Sequence, residues 1–160
     1  MALSQRRESR PVVLLVQQDR DDREMYAEFL RYRRFRPVIA ATVEEALELA
    51  PAADVIVTGI ALPNGADGLE FIAALRRAPD TTATPIIVLT AVLLTGEQQR
   101  AVEAVCDGFL HKPCLPNALV REVRRVLAVG RSGQVASDAA DMSSPAKSLS
   151  RKLPGSRRPR

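Results

Sequence analysis

Four short apolar runs constrain this chain most: VVLLV (Val12 to Val16), DVIVT (Asp54 to Thr58), PIIVLT (Pro85 to Thr90) and the shorter GFLHK (Gly108 to Lys112). The first three are continuous rather than alternating. A strand with one wet face alternates apolar and polar residues, so continuous runs mark strands covered on both faces, as in a parallel sheet packed between helices. A weaker fifth run, PVIA (Pro37 to Ala40), lies between the first two.

Helical spacing fills the gaps. Met25, Tyr26, Phe29 and Leu30 recur at helical intervals behind Asp21-Asp22-Arg23-Glu24, which reads as a capping box with Asp21 as N-cap and Glu24 reaching back. Further helices are expected over Val43 to Ala50, over Gly68 to Ala78 with Leu69, Ile72 and Leu75 on one face, and over Glu97 to Val105. The last runs from Leu115 to Ala128, with Leu119, Val123, Val126 and Leu127 inward, Arg121, Arg124 and Arg125 outward, and Pro116 in its first turn. Strand and helix alternate five times, which predicts an α/β fold, a doubly wound (βα)5 sandwich.

Charge divides the chain differently. The formal net charge is +4, but residues 130–160 hold seven basic and two acidic residues, and residues 1–10 hold three Arg and one Glu, which leaves the body, 11–129, at −3. The chain therefore reads as a polar extension (1–10), a mildly acidic domain (11–129) and a basic tail (130–160). The tail is rich in Ser, Gly, Pro, Ala and Arg. Its composition buries too little apolar surface to offset ordering entropy, so it is expected to be disordered. Cys106 and Cys114 suit a reducing compartment better than a disulfide framework. No apolar run is long enough to span a bilayer and the start has no secretory h-region, so no membrane association and a cytoplasmic location are expected.

Open α/β sheets bind ligands beyond the carboxyl ends of their strands. Those positions carry Gln17 and Gln18, Gly59, Thr90-Ala91 and Lys112-Pro113. No Cys/His cluster, GxxxxGK or GxGxxG is present. Neither metal nor cofactor is expected, and without an acid/base pair at the strand ends an enzymatic role has the least support.

The order and spacing of three motifs, GIALPNGADGLEFI (Gly59 to Ile72), LTA (Leu89 to Ala91) and DGFLHKP (Asp107 to Pro113), make residues 12–129 resemble the receiver domain of bacterial two-component response regulators. The resemblance implies a flavodoxin-like fold with strand order 2-1-3-4-5. It also implies a site in which two adjacent carboxylates after the first strand hold Mg²⁺. An aspartate after the third strand takes a phosphoryl group from a histidine kinase, and a Thr or Ser and a Lys contact its oxygens. Carried over, the metal pair falls on Gln17 and Gln18, the acceptor on Gly59, the hydroxyl on Thr90, the lysine on Lys112 and the switch aromatic on Phe109.

All three acids are thus absent. Neutral amides are poor Mg²⁺ ligands, and Gly59 has no side chain on which to form an acyl phosphate. Asp19 reads as a loop residue, and Thr58 should point away from the site, because side chains alternate along a strand. Lys112 is left without a carboxylate. It either keeps an anion pocket with Thr90, or hydrogen-bonds Gln17, Gln18 or backbone carbonyls and closes the pocket. The expected function is a stand-alone signalling module, a pseudo-receiver acting through a protein partner such as a histidine kinase, a receptor or another regulator, with a homodimer also open. The alternative is a nucleic-acid-associated regulator that uses the basic tail and RYRRFR (Arg31 to Arg36), whose simpler role is to complement a helix C-terminus. Val92, Leu93 and Leu94 either cap the pocket or form a contact patch. His111 is read as a packing residue.

Overall fold

The computed structural model describes residues 9–136. The elements are β1 (Val12–Val16), α1 (Arg20–Tyr32), β2 (Arg36–Ile39), α2 (Val43–Leu49), β3 (Val55–Thr58), α3 (Gly68–Arg77), β4 (Ile86–Thr90), α4 (Gly96–Glu103), β5 (Gly108–His111) and α5 (Pro116–Ala136), with 3-10 turns at Ala50–Ala52 and Pro63–Gly65. All neighbouring strands pair in parallel, and the sheet order is β2-β1-β3-β4-β5.

The continuous apolar runs are explained by what covers the sheet. Successive residues of a strand point to opposite faces. Val13 and Leu15 pack with Tyr26, Leu30, Leu119 and Val123 of α1 and α5. Leu14 and Val16 pack with Ala46, Phe71, Ile72, Leu75 and Val102 of α2, α3 and α4. Every residue of β3 and β4 is buried. Each such aliphatic side chain contributes roughly 1.5–3 kcal/mol by leaving water.

Several local expectations are corrected. The N-cap of α1 is Asp19, not Asp21: the Asp19 carboxylate accepts from the Asp22 backbone N–H at 2.9 Å. Glu24 does not reach back to the cap; it pairs with Arg20 at 3.0 Å. On α3 the inward residue is Phe71 rather than Leu69, which is 40% exposed. Met25 is likewise exposed. The last helix passes the expected boundary at Val129 and runs to Ala136, although the compact body ends at Leu127. The remainder of the expected tail, 137–160, and residues 1–8 of the extension lie outside the described residues.

The RYRRFR stretch does not present all its side chains as one exposed patch. Helix α1 closes with Arg34 in the left-handed region (φ 75°), Arg34 N–H donating to Arg31 O at 3.1 Å and Phe35 N–H to Leu30 O at 3.0 Å. This is a Schellman closure with arginine where glycine is usual. It drives Phe35 into the core beside Leu30. Arg33 lies over the Phe29 ring at 5.5 Å, and Arg36 already belongs to β2.

Candidate functional site

The carboxyl ends of β1, β3, β4 and β5 enclose a cleft of about 230 Å³. Register brings the ends together: Val16 pairs with Thr58 and Thr90 with His111, so Gln17 and Gly59 leave the sheet side by side, as do Ala91 and Lys112. Gln17, Gln18, Gly59, Thr90 and Lys112 all line the cleft, joined by Asp19, Asp22 and Val92.

Most of these side chains are already engaged or absent. Gln17 is 1% exposed, and its Nε2 donates to Leu89 O at 3.2 Å. Gln18 is exposed. Gly59 has ordinary backbone geometry; a Cβ built there meets Ala61 O at 3.4 Å and Gln17 Nε2 at 3.7 Å, which is normal contact. The glycine is therefore not demanded by crowding at this position. Thr90 is buried, and its Oγ1 accepts from Val92 N–H at 3.0 Å, which holds the loop after β4 over the cleft. Thr58 is fully buried, outside the cleft lining, and donates to Gly59 O at 3.0 Å.

Lys112 departs from both expectations. Its ammonium neither lacks a carboxylate nor turns to Gln17, Gln18 or backbone carbonyls. It donates to Asp22 Oδ2 at 2.6 Å, with side-chain exposures of 15% for Lys112 and 34% for Asp22. Asp22 reaches the cleft because Asp19 starts the helix: the cap places Asp22 in the first turn of α1, against the end of β5. Two bonds fix that turn. Arg23 donates to Gln17 O at 3.0 Å, and the Tyr26 hydroxyl donates to Cys114 O at 2.7 Å, just beyond the cis Lys112-Pro113 bond. Burial pushes the Tyr26 phenol up to about 12, so it remains a donor.

The three apolar residues after β4 divide. Val92 lines the cleft, Leu94 packs on the core, and only Leu93 is fully open, at 89%. Phe109 does not line the cleft; it is half-buried against the α2, α3 and α4 layer. The exposed His111 ring meets Phe109 edge-on, with centroids 4.9 Å apart. The residue that sequence reasoning missed is Asp22, which was passed over inside a capping box read from Asp21 to Glu24.

Sheet order, cleft and spacing define a doubly wound signalling-type domain. The family model for the response regulator receiver domain matches residues 13–124, and the chain belongs to that family. It is 32% identical over 117 residues to the phosphate regulon transcriptional regulatory protein PhoB of Klebsiella pneumoniae, covering 72% of this chain and 51% of the relative. The chain thus spans about half the length of the curated relatives it matches. Among solved structures, chemotaxis response regulator CheY4 of Vibrio cholerae aligns with a TM-score of 0.66 at 31% identity, over 74% of this chain and 99% of that one. The receiver domain of sensor histidine kinase PA1611 from Pseudomonas aeruginosa PAO1 aligns with a TM-score of 0.67 at 25% identity, over 75% and 99%; its magnesium ion is coordinated in the active site cleft.

The cleft here does not fit that ion. Mg²⁺ requires charged oxygen ligands in near-octahedral geometry. Gln17 and Gln18 are neutral, Gly59 offers no ligand, and of the two carboxylates lining the cleft Asp19 caps α1 and Asp22 is bound to Lys112. No cluster of three or more His, Cys, Asp or Glu suited to a metal occurs among the described residues. No helix among them is long and apolar enough to cross a membrane.

Proposed function

We propose that this chain is a signalling module of a two-component or phosphorelay pathway that is not phosphorylated in the usual way and acts by binding a protein. The observation that supports this reading is the 2.6 Å Lys112–Asp22 pair facing a glycine. A cleft with the family's three acids carries excess negative charge that a metal must offset. In this chain Lys112 offsets Asp22, and the one carboxylate left over among the cleft's lining residues, Asp19, is held at the N-terminus of α1 as its cap, so little negative charge remains for an ion to offset. Gln17, Gln18, Gly59, Thr90 and Lys112 form a degenerate site, and Phe109 occupies the switch aromatic position without the phosphoryl group that would drive a switch. A ligand shifts a conformational equilibrium only through its different affinity for the two states. With no attachment point for a phosphoryl group, the domain holds one state and presents a constant surface. The partner class is a histidine kinase, a receptor or another regulator, with self-association as a further form. No catalysed reaction is assigned.

The test compares backbone amide NMR spectra with and without Mg²⁺ and beryllofluoride, a phosphoryl mimic. The wild-type cleft residues Gln17 to Asp22, Gly59 and Thr90 should not move. Saturable, Mg²⁺-dependent shifts at those residues would sink the proposal.

A further inference from the structure

The opposite edge of the sheet carries a second concave feature. Arg10, Arg31, Phe35, Arg36 and Pro37 line a cavity of about 190 Å³. Three parts of the chain build it. Val12 pairs with Arg36 at the start of β1 and β2, and Arg36 N–H donates to Pro11 O at 2.8 Å, so Arg10 and Arg36 enter the sheet together. Arg31 comes down from the last turn of α1. Phe35 forms the wall, and Arg124 of α5 lies over its ring at 5.8 Å from the centroid. Three arginines thus line the cavity beside Phe35, and the Arg124 guanidinium lies over its ring.

This grouping is opposed to the body's charge, which is −3 over residues 11–129. Among the described residues no carboxylate lines the cavity. Among the described residues the only pairing of these arginines within salt-bridge range is Arg31 to Glu28 at 4.0 Å, between side chains 59% and 85% exposed. Such a contact is worth little. Converging like charges repel, and an anion seated between them removes that cost. A guanidinium is a planar fork that matches phosphate oxygens two at a time.

We propose that Arg10, Arg31 and Arg36 form a phosphate-binding site on the edge of the sheet, remote from the degenerate cleft. Its ligand class is a phosphodiester or polyphosphate. Phe35 is 5% exposed and cannot stack on a base, so the contact reads phosphate rather than sequence. The strands separate this site from the cleft by roughly 16 Å, five residues at about 3.3 Å each. Binding here is therefore independent of the fate of the cleft.

The experiment uses the full chain, wild type and R10Q/R31Q/R36Q, with two probes. One is a fluorescein-labelled single-stranded 12-mer followed by anisotropy across a salt series; the other is inorganic tripolyphosphate followed by thermal shift. All three arginines are exposed, so the variant should unfold at the wild-type temperature. The basic residues of 130–160 contribute their own salt dependence, but they are identical in both proteins. Each phosphate contact adds about 0.7 to the slope of log affinity against log salt for single strands, so losing three contacts should lower the slope by about 2. That result, with at least a tenfold affinity loss at low salt, supports the site and names nucleic acid as its source. If only tripolyphosphate binding depends on the three arginines, the site stands and a free polyphosphate is its ligand. If neither probe distinguishes the two proteins, the proposal is overturned.

Discussion

Replacing Asp22 by asparagine removes the charge that balances Lys112 and changes little else. The cost can be bracketed. Exposed ion pairs contribute about 0–1 kcal/mol, and orphaning a fully buried charge costs about 3–5 kcal/mol. Lys112 is 15% exposed, near the buried limit, whereas Asp22 at 34% can still reach water. The two halves of the pair are therefore unequal. D22N strands an ammonium that has little access to solvent, while its amide oxygen keeps one acceptor, so a loss of about 1.5 kcal/mol is expected. K112M leaves a carboxylate that rehydrates, at about 0.5–1 kcal/mol. Asp22 also lies in the first turn of α1, where an acid gains about 0.3–1 kcal/mol from the helix dipole. D21N isolates that contribution, since Asp21 is in the same turn and exposed. Urea denaturation of the three variants should rank D22N as the most destabilised, then K112M, then D21N. The reasoning is refuted if D22N costs no more than D21N, or if K112M costs more than D22N.

Other consequences are as direct. A Cβ on Gly68 would lie 2.8 Å from Ile60 Cα, a backbone atom that cannot swing away. G68A should therefore cost more than about 3 kcal/mol, or prevent folding, in the same assay. Burial pushes Cys106 up to about 12 from 9.0 and Tyr26 up to about 12 from 10.0. Both groups resist deprotonation when folded, so their contribution is complete below pH 9 and is lost as pH rises from 9 to 12. Stability should decline through that window, and C106A should flatten its first part. The same burial makes Cys106 the slower thiol toward iodoacetamide at pH 8, with Cys114 modified first, as peptide mass mapping will show. Restoring the acids as Q17D/Q18D/G59D should create Mg²⁺-dependent thermal stabilisation, because Gly59 has normal backbone geometry and room for a Cβ. A folded triple variant indifferent to Mg²⁺ would mean that the site is misplaced.

The sheet was legible because burial on both faces writes itself as uninterrupted Val, Ile and Leu. The places of Gln17, Gln18, Gly59, Thr90 and Lys112 at strand ends followed from those runs. Asp22 was not legible, for a specific reason. Asp21 and Glu24 have the spacing of a capping box, and the true cap, Asp19, starts the helix earlier and turns Asp22 toward β5. The resulting contact joins residues 90 apart in sequence, beyond any local pattern. The burial of Phe35 was not legible for a related reason. Helix closures are recognised by glycine, and here Arg34 takes the left-handed position instead. The convergence of Arg10 with Arg31 and Arg36 depends on strand register, which RYRRFR alone does not encode.

The central claim is that this receiver domain carries no phosphoryl group in its cleft. Incubation of the full chain with acetyl phosphate and Mg²⁺, followed by intact-protein mass spectrometry under conditions that preserve acyl phosphates, tests it most directly. The account predicts an unmodified mass for the wild type. A phosphoryl adduct lost in D19N or D22N would contradict it, since one of the cleft's remaining carboxylates would then be doing the work that Gly59 cannot.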